Sequence, residues 1–239
     1  MSRSNPTESS SNPSKRWFEW KGDAGHFSYY DKEAKQRIDL PPDFTFILLD
    51  ETCAIRGYHE KSKSGIYSNE VRDLRAEVLV VKSFKGGELC EGRYADIKDR
   101  IKVLGGKFTK VCYCAFKDES GELQIGAVDM NGGVLGAWMD FTKANRNELY
   151  KQAVRIKGFT NEKKGKIEFT LPKSIALVPV NEETDEAAKA LDRELQAYLK
   201  GYFSKTKTEQ AADAPEPDEP VNTTDYSPIN ETEEDTIPF

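Results

Sequence analysis

Side chains able to do covalent or metal chemistry are scarce in this sequence. Two histidines, His26 and His59, occur in 239 residues, which leaves little material for a catalytic triad or an imidazole-held metal. His59-Glu60 opens like a zinc-protease motif, but no second histidine follows to complete it. Gly106-Lys107 lacks the upstream glycine and the following Ser or Thr of a phosphate loop. The four cysteines, Cys53, Cys90, Cys112 and Cys114, contain no Cys-x-x-Cys pair. Buried thiols are therefore expected over a zinc site or a disulfide framework. Cys112-Tyr113-Cys114 would put both sulfurs on one face of a strand, which suits a reduced cytosolic core. Carboxylates are too plentiful for any pair to stand out as a nuclease centre. The sequence reads as a binding protein, with neither catalysis nor a cofactor expected.

Cations interleaved with aromatic rings are what the chain does offer. Holding a single nucleic-acid strand without reading its sequence requires ring faces for the bases and cations that follow the phosphates. In Cys53–Tyr58, Arg56 and Tyr58 point one way, while Cys53, Ile55 and Gly57 point the other. The loop that follows supplies Lys61 and Lys63, and Tyr67 opens the returning strand. Lys82 lies on the Phe84 side of its strand and Lys85 on the other; Tyr113 shares a face with Lys117, and Lys110 sides with Phe108. Arg72, Arg75, Arg93 and Tyr94 add further basic and aromatic groups, and Trp17, Trp20, Tyr29 and Tyr30 offer rings near the N-terminus. Phe44, Phe46, Phe84, Phe116 and Trp138 read as core. For Tyr58 and Tyr67, which flank a basic loop, core and surface readings stand about level.

Charge is divided unevenly along the chain. The net charge is −6, yet 208–239 holds ten acids and no Lys or Arg, so 1–207 carries 35 basic residues against 31 acids, or +4. A basic body with an acidic tail points towards nucleic acid. The tail from Thr208 is acids, Pro, Thr and Ala with few large apolar residues, a composition for which disorder is expected. It ends Glu234-Asp235-Thr236-Ile237-Pro238-Phe239. Phe239 offers a ring and a carboxylate on one residue, Ile237 adds a second apolar anchor, and Pro238 limits the ordering cost. Glu234 and Asp235 would steer the tip to basic partner surfaces.

This tip resembles that of bacterial single-stranded DNA-binding proteins, whose pattern is Asp-Asp-Asp-Ile-Pro-Phe. The chance of Ile-Pro-Phe falling at a fixed position is about one in ten thousand. Thr236 departs from the pattern, replacing an acid beside the anchors, and should weaken partner binding without abolishing it. The body is similar to phage-encoded single-stranded DNA-binding proteins in Trp20-Lys-Gly, Phe27-Ser-Tyr-Tyr-Asp and Tyr67-Ser-Asn-Glu-Val. The resemblance implies an oligonucleotide-binding (OB) fold and tail partners among replication, recombination and repair proteins. The bacterial family's tetramer is not carried over, so homo-oligomerisation stays open.

These side chains need a scaffold, and the pattern predicts a mainly β one. Residues 1–15, rich in Ser, Asn and Pro, read as a floppy lead-in. Strands are expected at Arg16–Lys21, Phe27–Tyr30, Arg37–Leu40, Phe44–Tyr58, Ile66–Val71 and Glu77–Phe84. Further strands are expected at Phe108–Lys117 and Leu123–Met130, flanking the turn Asp118–Gly121, and at Gln152–Thr160 and Lys166–Leu171. Helical spacing marks Tyr94–Leu104 and Gly133–Thr142. The strongest helix is Thr184–Phe203, with Thr184 as cap and Ala187, Leu191, Leu195, Tyr198 and Tyr202 along one face.

The expected architecture is an OB-like β-barrel domain over 16–180, with an N-terminal hairpin extension and one or two interposed helices. A C-terminal helix over 181–204 and a disordered acidic tail over 205–239 complete it. No run is long and apolar enough to span a membrane and no secretory signal is present, so a bacterial or phage-infected cytoplasm is expected. Single-stranded DNA is the expected ligand. Two rivals stay open: a recombination or repair enzyme with a borrowed tip, and a phage interaction protein with no nucleic-acid role.

Overall fold

A computed structural model describes residues 11–205, so the acidic tail and its tip, Glu234, Asp235, Ile237, Pro238 and Phe239, lie outside the described residues. Within 11–205 the chain forms eleven strands and three helices. In chain order they are β1 (Arg16–Lys21), β2 (His26–Asp31), β3 (Gln36–Asp39), β4 (Asp43–His59), β5 (Ser64–Ser68), β6 (Leu79–Ser83) and β7 (Gly87–Gly92). Then follow α1 (Tyr94–Val103), β8 (Gly106–Lys117), β9 (Leu123–Asn131), α2 (Gly132–Ala144), β10 (Ala153–Lys164), β11 (Ile167–Val178) and α3 (Glu182–Ser204). The fold is mainly β, and two helices are interposed among the strands, as the pattern predicts.

All eleven strands join one sheet, whose order runs β3-β2-β1-β9-β8-β4-β5-β6-β7, with the β10–β11 hairpin branching from β4. The path does not return on itself, so the expected barrel is not closed. Most pairings are antiparallel, but β1 runs parallel to β9, pairing Trp17 with Ala127 and Glu19 with Asp129. The strand β7, which the pattern missed, is the far edge. Its sequence Gly-Glu-Leu-Cys-Glu-Gly lacks β-branched and aromatic residues, so propensity gives no signal for it.

The 17-residue β4 organises the sheet. One edge pairs with β8 from Ile47 to Gly57. The other edge takes β10 at its start, Val71 at Cys53, and β5 at its end. A bulge between Leu48 and Asp50 inserts a residue and reverses which parity faces which side. Before it, Phe44, Phe46 and Leu48 join the main aromatic core; after it, Cys53 and Ile55 occupy that same side.

Both sides of the central strands are covered. On one side, Cys112, Cys114 and Phe116 of β8 pack with Phe18, Phe27, Phe46 and Trp138, where α2 lies. Trp138, Phe46 and Phe116 are buried, as is Phe44. All four cysteines are free and buried, and burial raises the Cys112 and Cys114 thiols. A smaller cluster continues under α1, with Ile97 and Ile101 against Leu79, Val81 and Cys90.

On the opposite side α3 lies over Ala54, Val111, Tyr113, Ile125 and Ala127 through Leu195, Tyr198, Leu199 and Tyr202. Residues 181–204 are thus part of the folded body. Two details of this helix differ from the expected pattern. Its cap is Asn181, whose Oδ1 accepts the Thr184 N–H at 2.8 Å, and the buried alanine is Ala188, with Ala187 exposed. Extending the buried row back by four from Leu195 through Leu191 gives Ala187, but Ala188 lies three before Leu191 and meets Ile47, Ala115 and Ala153.

Candidate nucleic-acid interface

Strand register lines up a row of side chains across four strands. On the α3 side of the sheet Arg56 of β4 is opposite Lys107 of β8 and opposite Tyr67 of β5, and Tyr67 is opposite Lys82 of β6. Directly opposed residues share a face and lie within reach of one another. Arg56, Tyr67, Lys82 and Lys107 are each partly exposed. Tyr67, Lys82 and Lys107 stand outside the apolar cluster that α3 forms. Arg56, Tyr67 and Lys82 are all among the sequence candidates, and the structure brings them together.

Two members of the site were missed. Phe84, read as core, is partly exposed and stacks on Tyr67 with ring centroids 4.2 Å apart at 28°. It is a diagonal neighbour, two residues beyond the Lys82 that Tyr67 faces. Burial raises the Tyr67 phenol. Lys107 was also missed, although counting back by twos from Tyr113 reaches it. Its position is set by the end of α1, where Gly105 at φ +88° turns the chain against the Tyr58 carbonyl, leaving no room for a Cβ.

The loop beside this row carries more positive charge. His59 Nδ1 lies 2.8 Å from Ser62 Oγ, and Ser62 Oγ lies 2.9 Å from Ser64 Oγ and 3.2 Å from Ser83 Oγ. The Lys85 N–H donates to Ser64 at 3.1 Å. These hydroxyls tie the β4–β5 turn to the β6–β7 turn, so Lys61, Lys63 and Lys85, all exposed, gather at one end of the lobe. Together with Lys82 they make no ion pair among the described residues.

Beneath the row lies a buried polar cluster. Arg56 Nε is 3.5 Å from Asp129 Oδ2 and its Nη2 is 3.8 Å from Glu70 Oε1, with its guanidinium 5.5 Å from the centre of the Trp17 ring. Glu70 accepts from Thr52 and, at 3.0 Å to each oxygen, from the Tyr113 hydroxyl. The Glu70 N–H donates to the Tyr202 hydroxyl of α3 at 2.7 Å. Desolvation raises the Glu70 carboxyl and pushes that of Asp129 up to about 7, with Arg56 acting against the shift in both. Arg56 Nη2 and Asp129 Oδ1 are buried without a hydrogen-bond partner among the described residues.

Other sequence candidates are placed elsewhere or withdrawn from the surface. Tyr113 is 0% exposed between β8 and α3, and Tyr58 is buried at 6%. Neither offers a ring face to a base, because both faces of the sheet are covered where Tyr113 lies. Tyr29 is buried too, with the Arg16 guanidinium 4.3 Å from its ring centre. Trp20 donates its indole N–H to the Thr170 carbonyl at 3.1 Å and so holds the β10–β11 hairpin. Both belong to the α2 side.

Tyr94 packs on Phe108 beside α1, with Arg93 at the start of that helix, on the side opposite Tyr67. Arg72 is committed to α3: it bonds both oxygens of Asp50, at 3.1 and 2.6 Å, and lies 5.2 Å from the centre of the Phe203 ring. Arg75 sits in the exposed 72–77 loop, its N–H on Asp73. Lys117 is at the far end of β8, where it lines an open depression of about 330 Å³ with Arg16, Phe18, Phe44, Phe116 and Glu119. Among the described residues no group of three His, Cys, Asp or Glu is placed to hold a metal, and no helix is long and apolar enough to cross a membrane.

Comparison with protein-family models, with curated proteins and with solved structures finds no match to this chain.

Proposed function

We propose that the protein binds single-stranded DNA across the open part of its α3-side sheet face and recruits replication, recombination or repair proteins through its acidic tail. The observation that carries the reading is the four-strand row Lys107, Arg56, Tyr67 and Lys82, with Phe84 stacked on Tyr67. It supplies three cations and a ring face, the combination that sequence-tolerant binding of single strands requires. Lys61, Lys63 and Lys85 extend the positive surface from the row to the adjoining loop. The basic body and acidic tail support the same reading, and the Ile237-Pro238-Phe239 tip supports recruitment.

An OB-like architecture goes with this function, as a partly open barrel. Supporting it are the length of β4, its bulge, and its shared edge between β10, Val71 and β5, all of which go with a strongly curled sheet. The setting we infer is the cytoplasm of a bacterial or phage-infected cell, without catalysis by the chain itself.

Titration of the full chain with a dT oligonucleotide, followed by tryptophan fluorescence at two salt concentrations, tests the reading. Binding that weakens with salt is expected, because phosphate contacts release counterions. Absence of binding at low salt would refute it. Deleting 208–239 should preserve or strengthen oligonucleotide binding while removing partner capture.

A further inference from the structure

Arg56 has two claims on it. It belongs to the open row, opposite Tyr67 and Lys107, and it is also the cation that Glu70 and Asp129 share beneath that row. We propose that this trio is a proton-operated switch on the nucleic-acid face. With both carboxylates ionised Arg56 is held inside, and with a proton on Asp129 it is released towards a phosphate. The inference rests on the proposed binding function and adds its regulation.

The geometry decides where the proton goes. Glu70 is well supplied with donors, from Thr52 and from the Tyr113 hydroxyl to both oxygens, which suits a carboxylate. Asp129 has Arg56 Nε at 3.5 Å on one oxygen and no hydrogen-bond partner on the other among the described residues. An ionised carboxylate in that position is poorly solvated, so it is the one that takes up the proton. Its carboxyl is pushed up to about 7, within the range a cell can traverse.

Other groups facing the trio bias it without replacing it. From β1 comes Glu19, which raises Asp129 and is itself paired with Arg37 at 3.1 Å. From β4 comes Asp50, which raises Glu70 and is held by Arg72 at 2.6 Å. Tyr113 of β8 and Tyr198 and Tyr202 of α3 complete the surroundings, and burial raises the Tyr113 and Tyr202 phenols, which stay neutral here. Arg56 is therefore the cation that both buried carboxylates share directly.

Proton uptake and strand binding are then linked, each favouring the other. Oligonucleotide affinity should be roughly threefold to tenfold higher at pH 6 than at pH 8, one unit of linked shift being tenfold. In D129N that part of the pH dependence should vanish. In H59Q it should persist, which separates the switch from any contribution of the neighbouring loop's histidine. A pH dependence unchanged in D129N would overturn the proposal.

A measurement on the wild-type chain without DNA keeps the test independent of that variant's folding. The carboxyl carbon of Asp129, followed by NMR, should titrate near neutrality, and the Trp17 indole resonance should move with it because the Arg56 guanidinium lies against that ring. An Asp129 that stays ionised down to pH 5, or a Trp17 signal that ignores its titration, would refute the switch. If both titrate together while no oligonucleotide binds at any pH, the switch stands and the binding function falls.

Discussion

Two halves of the same sheet face carry the same kinds of residue to different ends. Under α3, Tyr113 and Trp17 of the sheet meet Tyr198, Tyr202 and Phe203 of the helix, and Arg72 clamps the helix end to Asp50. Beyond α3, Tyr67, Phe84, Lys82 and Lys107 keep part of their surface open. In the covered half a ring contributes burial and its hydroxyl closes a hydrogen-bond network. In the open half a ring face and the Lys82 ammonium, which makes no ion pair among the described residues, are left for a ligand. Composition and alternation do not separate the halves; the helix laid across one of them does.

The sharpest way to break this comparison is Tyr113→Ala. It should cost about 3–5 kcal/mol of stability, read from denaturant unfolding, because it opens a cavity and strips Glu70 of a donor. Little loss would place Tyr113 with the open half. Next in size is Tyr67→Ala, which should lose about 1–3 kcal/mol of oligonucleotide affinity while barely changing the unfolding midpoint. A variant that unfolds early but binds normally would make Tyr67 a core residue.

An effect spread over pH concerns Asp129. Its folded carboxyl, raised from 3.8 to about 7, binds a proton that the unfolded chain has already lost. Stability from this group is therefore complete below about pH 4 and is lost as pH rises towards 7, at no more than about 1.4 kcal/mol per pH unit. Unfolding of D129N should lack that slope, and a retained slope would assign it to another group. Smallest of all is Lys82→Ala, which should lower the salt slope of oligonucleotide binding by about 0.7. An unchanged slope would remove Lys82 from the phosphate path.

Much of the framework was legible because alternation and helical spacing are local. β1, the β8–β9 hairpin, α1 and α2 follow from Arg16–Lys21, Asp118–Gly121, Ile97 with Ile101, and Trp138 with Phe141. The bulge at Leu48/Asp50 was not legible, since an extra residue leaves no mark in a run of strand formers. Cover was not legible either, and that explains the mixed fate of the site candidates. Arg56, Tyr67 and Lys82, candidates taken from three separate strands, are neighbours, whereas Tyr113, read as sharing a face with Lys117, is hidden by a helix some eighty residues later in the chain. Glu70 and Asp129 were lost among the 41 acids, because only the fold buries these two against one arginine.

Which residues touch the strand can be read directly by photo-crosslinking a dT oligonucleotide carrying halogenated uracil to the full chain, followed by peptide mapping. The proposed interface predicts that crosslinks concentrate on the peptides containing Tyr67 and Phe84. Crosslinks concentrated instead on Arg93–Tyr94 or on Trp20 and Tyr29, on the opposite side of the sheet, would contradict it.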